Sequence, residues 1–167
     1  HSYISESQNP GMLLLAALSR LDDKDTEVIT NGSVDAGLIL NHGCGVKIVR
    51  QMVEAAGKVP LGILMKDATE ENVNELAESG CDFVVFSTKM SATALYKEGV
   101  GKFLVVEPRL DLGLVKAINN LDVDGVFLSH EEESFLTVEY LLICQRFCEL
   151  LDKPFMVILP SLVNSNV

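Results

Sequence analysis

Short, almost wholly apolar runs recur along the chain at Ala36–Leu40, Leu61–Met65, Phe83–Phe86, Phe103–Val106, Gly125–Leu128 and Phe155–Leu159. Each has the length of a strand, is rich in Val, Ile, Leu and Phe, and lacks the strict polar alternation of a half-solvated strand. Strands of this kind are covered on both faces, the condition of a parallel sheet lying between other layers. Segments with helical spacing separate them: Val46–Ala56, Glu70–Ser79, Ala92–Lys97, Leu112–Asn119 and Glu132–Leu151. Successive strands begin about 20 to 30 residues apart, which leaves room for one short helix and two tight loops per unit. Thr69 before Glu70 and Glu71 predicts a capped helix start, and Ser129 to Glu132 has the spacing of a capping box before the long last helix. Gly57, Gly80 and Gly99 fall where helices should stop. The apolar stretch Gly11–Leu21, preceded by Asn9 and Pro10, reads as a helix able to close one end of the molecule.

No linker or low-complexity segment interrupts residues 1–167, so one α/β domain is expected, and 48% hydrophobic residues supply a sizeable core. No apolar run approaches the roughly 18 residues of a membrane span, and no signal-like segment opens the chain, so a cytoplasmic protein without membrane contact is expected. The 24 acidic and 13 basic residues give a net charge of −11, which opposes binding to nucleic acid or anionic lipid. Cys44, Cys81, Cys144 and Cys148 form no CxxC pair and read as reduced thiols, leaving structural zinc without ligands at the required spacing.

Five of the runs align as six-residue frames beginning at Gly37, Gly62, Phe83, Phe103 and Gly125, and the fifth position of each is polar: Asn41, Lys66, Ser87, Glu107 and Ser129. Side chains alternate faces along a strand, so positions one, three and five are expected to point one way and to bring these polar groups together at the strands' carboxyl ends. In a sixth frame, from Met156, Pro160 takes that position.

With its repeated short βα units, glycine or aromatic residues opening strands and polar residues closing them, the chain from about Ala36 to Leu159 resembles the TIM-barrel superfamily. No single family within it is singled out. The resemblance implies a parallel (β/α) barrel, and six strands against the complete eight make it incomplete or truncated, with a missing C-terminal third. The alternative is an open doubly wound sheet, which differs by reversing its strand order at a switch point. Six strands also leave two edges to be paired or covered, so a homo-oligomer is expected. The long last helix, carrying Phe135, Val138, Leu141, Leu142, Ile143, Phe147 and Leu150 around its surface, is a second reason.

Barrel active sites lie at the carboxyl ends of the strands. Lys66, Lys89, Glu107 and Arg109 fall at or just beyond those ends in a chain short of positive charge, which points to binding of an anion. Lys66 and Glu107 are the candidate catalytic pair, because a lysine desolvated beside a carboxylate can act as acid, base or Schiff-base nucleophile. The bland alternative is a salt bridge closing the barrel top. Asn41, Ser87, Lys89, Arg109, Ser129 and His130 are candidate substrate contacts. Gly43, Gly45 and Val46, between a strand and a helix, are candidate phosphate-binding positions, although Ile48 stands where a dinucleotide fingerprint needs its third glycine. A divalent metal on His42, Asp67, Glu107 and His130 is the weaker possibility, since HxH and HExxH spacings are missing, and no metal or cofactor is assigned. These residues suit a lyase, aldolase or isomerase domain acting on a small phosphorylated or carboxylated metabolite. A non-catalytic scaffold and a flavodoxin-like nucleotide or flavin module are the alternatives.

Overall fold

The computed structural model describes residues 13–19, 21–31, 34–40, 45–65, 69–129 and 136–157. Strands β1 (Leu15–Leu18), β2 (Ala36–Ile39), β3 (Leu61–Leu64), β4 (Phe83–Ser87), β5 (Gly101–Val106), β6 (Gly125–Leu128) and β7 (Phe155–Val157) alternate with helices. These are α1 (Asp23–Thr30), α2 (Val46–Ala56), α3 (Glu70–Glu78), a 3-10 turn over Ala92–Tyr96, α4 (Leu112–Ala117) with a 3-10 turn over Ile118–Asn120, and α5 (Val138–Leu150). Every adjacent pair of strands is parallel, and the order is β1-β2-β3-β4-β5-β6-β7. Sequential neighbours throughout are what a barrel requires, so the doubly wound alternative fails on strand order.

Three expectations are corrected. The Gly11–Leu21 stretch is not a capping helix: Leu15–Leu18 pairs with Ala36–Ile39 as a seventh strand, and the chain then turns into α1, capped by the Asp22 side chain. The last helix begins at Val138 rather than Glu132, because Thr137, not Ser129, accepts the first-turn N–H, from Tyr140 at 3.0 Å. Strand β5 begins two residues early, at Gly101, and takes in Lys102. The Thr69 cap on α3 stands as expected, and Gly57, Gly80 and Gly99 all hold positive φ at helix or turn ends.

Two apolar layers flank the sheet. Outward side chains such as Ile39, Ile63, Val84, Leu104, Val126 and Leu128 pack with Val49, Met52, Val73, Val115 and Phe147 of the helices. Inward ones form a second cluster, with Leu38, Phe83, Val85 and Phe127 buried among Leu15, Leu64, Phe103, Val105 and Met156. Phe83, Phe103 and Phe127 stand edge to face along the interior, with centroids 5.3 and 5.8 Å apart. The glycines that open strands make room for these rings. A Cβ on Gly62 would overlap the Phe83 ring, and one on Gly125 would lie 2.8 Å from Phe103 Cε1.

The amino ends of the strands carry a repeated lock. Asp35 donates its N–H to the Leu14 carbonyl at 2.8 Å while its Oδ2 accepts the Leu14 N–H at 2.7 Å. Asp82 brackets Leu61 in the same way, at 2.8 and 2.9 Å, and Asp124 brackets Lys102, at 2.7 and 2.7 Å. Each aspartate immediately precedes an even-numbered strand and grips the start of the odd-numbered strand before it. At the same end Lys102, 6% exposed, donates from Nζ to the Leu95 carbonyl at 2.7 Å and to Asp122 Oδ2 at 2.6 Å. A buried lysine persists only with such partners.

Candidate active site

Period-two alternation carries the interior face upward from the phenylalanine layer. Phe83 and Val85 on β4 lead to Ser87, Phe103 and Val105 on β5 lead to Glu107, and Phe127 on β6 leads to Ser129. The pairing of Ser87 with Val105 and of Val106 with Leu128 places these three polar residues on adjacent strands at the carboxyl end. The frame beginning at Gly62 fits the same face through Leu64. The frame beginning at Gly37 is out by one residue: Gly37 meets Leu61, Leu18 and Ile29, and Ile39 joins the helix-facing core, while Leu38 lines the interior. The shared-face expectation therefore fails for that strand. Asn41, Gly43, Lys66 and His130 lie outside the described residues, as do His42, Cys44, Asp67 and Pro160.

Of the lysines singled out, Lys89 is the one seen with Glu107. Its Nζ lies 3.9 Å from Glu107 Oε1, with both side chains largely in water, 84% and 75% exposed. The Lys89 N–H donates to Ser87 Oγ at 3.3 Å, so the start of the β4 loop is tied to the strand end it leaves. The Glu107 carbonyl accepts from the Leu110 N–H at 3.0 Å, a turn that carries the exposed Arg109 beyond the same strand. Ser129 is half-buried, and its N–H continues the ladder to the Val106 carbonyl at 2.9 Å.

Tyr140 joins the site from outside the strand-end pattern. It comes from the first turn of α5 on the outer layer, is buried, and donates from its hydroxyl to the Ser129 carbonyl at 3.5 Å. Burial pushes the hydroxyl up to about 12, with the Cys144 thiol one turn along as a lesser cause. The available signal was the helical offset of Tyr140 from the apolar positions Ile143 and Phe147. Cys81, Cys144 and Cys148 are free thiols, and burial raises the pKa of Cys144 and Cys148, which disfavours a reactive thiolate.

At the candidate phosphate turn, Gly45 takes the N-cap position of α2 with extended backbone and no side-chain bond to the first-turn amides, and Val46 begins the helix half-buried. Among the described residues no group of three or more His, Cys, Asp or Glu side chains is arranged to hold a metal ion. No helix among them is long and apolar enough to cross a membrane.

No family model matches the chain, and no curated protein matches it in sequence. Solved structures do match. One mutant form of the tryptophan synthase alpha-subunit from the hyperthermophile Pyrococcus furiosus superposes with a TM-score of 0.69 at 11% identity, over 89% of this chain and 78% of that one. A second mutant form gives 0.70 at 12% identity, over 88% and 79%. Identity at that level speaks for backbone architecture alone. With its parallel strands in sequential order, its filled interior and its outer helices, the chain has the fold of a TIM barrel, incomplete over the described residues at seven strands.

Proposed function

We propose that this is a barrel enzyme domain, of lyase, aldolase or isomerase type, that binds a small phosphorylated or carboxylated metabolite at the carboxyl ends of its strands. In this proposal Lys89 and Arg109 are cationic contacts, Ser87 and Ser129 donate hydrogen bonds, and Glu107 positions the substrate or exchanges a proton with it. Lys66, two residues after β3 in the sequence, is proposed as the partner of Glu107 in the chemistry. His130 and Asn41 join the substrate contacts on their positions in the sequence, and the amides of Gly43, Gly45 and Val46 would hold a phosphate group.

The observation that carries the proposal is the state of the Lys89–Glu107 pair. At 3.9 Å, with both side chains largely solvated, it contributes about 0 to 1 kcal/mol to stability. A bridge built to close the barrel would be shorter and held by a buried partner, as Lys102–Asp122 is at the opposite end, 2.6 Å long with the lysine side chain 8% exposed. The charges of Lys89 and Glu107 therefore remain available to a ligand. In a chain at −11, local cations are what reverse the field for an anion.

The test is calorimetric titration with inorganic phosphate and with a small dicarboxylate, on the wild type and on Lys66→Met, Lys89→Met and Arg109→Met. Each charge-assisted contact is worth about 1.5 to 3 kcal/mol, so loss of one lysine should weaken binding about tenfold or more. No binding by the wild type at millimolar ligand, or variants that bind as well as the wild type, would replace the site with a surface ion pair of no catalytic consequence.

A further inference from the structure

The outer face of α5 is more apolar than a solvated helix requires. Its inward stripe is Tyr140, Ile143, Cys144 and Phe147, and these residues reach the core. At about 100° per residue, Val138 and Leu142 lie about 160° round the helix from Tyr140 and point away from the sheet, with Leu141 beside them. They are 74%, 66% and 55% exposed. Neighbouring helices of a barrel lie alongside one another on the sheet, so they cover the flanks of α5 and not its back.

We propose that a second copy of this chain covers this face, with the two α5 helices antiparallel about a twofold axis that passes Leu142. The charges select that occupant. Glu139 and Arg146 are seven residues apart, two turns, and so lie on one side of the helix next to the apolar patch. A twofold axis at Leu142 brings Glu139 of each copy opposite Arg146 of the other, giving two reciprocal ion pairs beside a centre of Leu141 and Leu142, with Val138 of each copy set against the exposed Gln145 and Glu149 of the other. A twofold interface must be self-complementary in this sense. Arg146 already donates to Glu149 from Nη1 at 3.2 Å, which uses one of its five N–H groups and leaves the rest for a partner. The patch alone is smaller than the roughly 800 Å² per partner of a standard interface, so the dimer is a weak one.

Sedimentation of the 167-residue chain from on the order of 1 μM to 1 mM at low salt should show a reversible rise to twice the chain mass. Leu142→Glu, which sets two carboxylates face to face, should raise the dimer Kd about tenfold or more, while the far-ultraviolet circular dichroism and melting temperature stay as in the wild type. Glu139→Arg and Arg146→Glu should each weaken the dimer, and the double exchange should restore it towards the wild-type Kd. A single-chain mass throughout the range overturns the proposal, and a Leu142→Glu chain that dimerises normally overturns it too. A double exchange no better than the single ones overturns the antiparallel pairing.

Discussion

Adding one methyl group at Gly125 tests how tightly the barrel interior is filled. A Cβ there would lie 2.8 and 2.9 Å from Cε1 and Cδ1 of Phe103 and 2.9 Å from the carbonyl oxygen of Pro154. The ring can swing, but the carbonyl belongs to the backbone entering β7 and accepts the Val126 N–H at 2.9 Å, so it cannot retreat without straining the β6–β7 pairing. The ring has little room either, since it stands between Phe83 and Phe127. Overpacking of this kind costs about 1 to 3 kcal/mol. Disturbing the two edge-to-face contacts adds about 0.5 to 1.5 kcal/mol. The stiffer unfolded chain of an alanine variant returns about 0.4 to 1 kcal/mol. Gly125→Ala should therefore lose about 0.5 to 4 kcal/mol in urea unfolding with an unchanged slope, or about 2 to 4 °C of melting temperature per kcal/mol for a domain of this size. Shrinking the ring should relieve part of the overlap, so Gly125→Ala with Phe103→Leu should cost less than the two single changes together by about 0.5 kcal/mol or more. A fully stable Gly125→Ala, or strict additivity in the double variant, would mean that the rings do not fill the interior as described.

Asp82→Ala should cost about 1 to 3 kcal/mol in urea unfolding by stranding the Leu61 N–H, and Asp82→Asn, which keeps an acceptor oxygen, should recover most of it; equal stability of all three would dismiss the bracket. Tyr140 should stay protonated in an ultraviolet titration until about pH 12. Its raised pKa means that the folded state holds a proton that the unfolded state releases near pH 10, so its contribution to stability is full below about pH 10 and is lost as the pH climbs to about 12. Tyr140→Phe should flatten that limb of the stability profile, and an unchanged limb would place the cause elsewhere.

The strands legible in the sequence were those whose apolar character on both faces leaves no competing periodicity. The same property hid the register of β2. With both faces apolar, nothing in Gly37-Leu38-Ile39-Leu40 says which residues look inward, and alignment on the apolar cores gives the wrong parity there. Strand β1 was lost because a short apolar run suits a buried helix equally well. Helix α1 was lost because Ile29 is its one buried residue, too little for an amphipathic stripe. Lys102 concealed the start of β5, since its burial depends on Asp122 and Leu95, which only the folded chain brings to it. At the site, alternation alone placed Ser87, Glu107 and Ser129 on one face. Lys66, the expected partner of Glu107, lies outside the described residues, and the cation described beside Glu107 is Lys89, two residues beyond the end of β4. Tyr140 needed the third dimension, because it reaches Ser129 from a helix on the other side of the sheet.

The aspartate brackets divide labour between the two rims of the sheet. All three grip backbone at the amino rim, where Asp35, Asp82 and Asp124 set the registers of β1 with β2, β3 with β4, and β5 with β6. A strand anchored at its start does not depend on the length or composition of the loop that leaves its far end. Segments inserted or rewritten beyond Ser87, Glu107 or Ser129 would therefore leave the strand registers where they are, and the residues at that rim can be altered without renegotiating the scaffold beneath them.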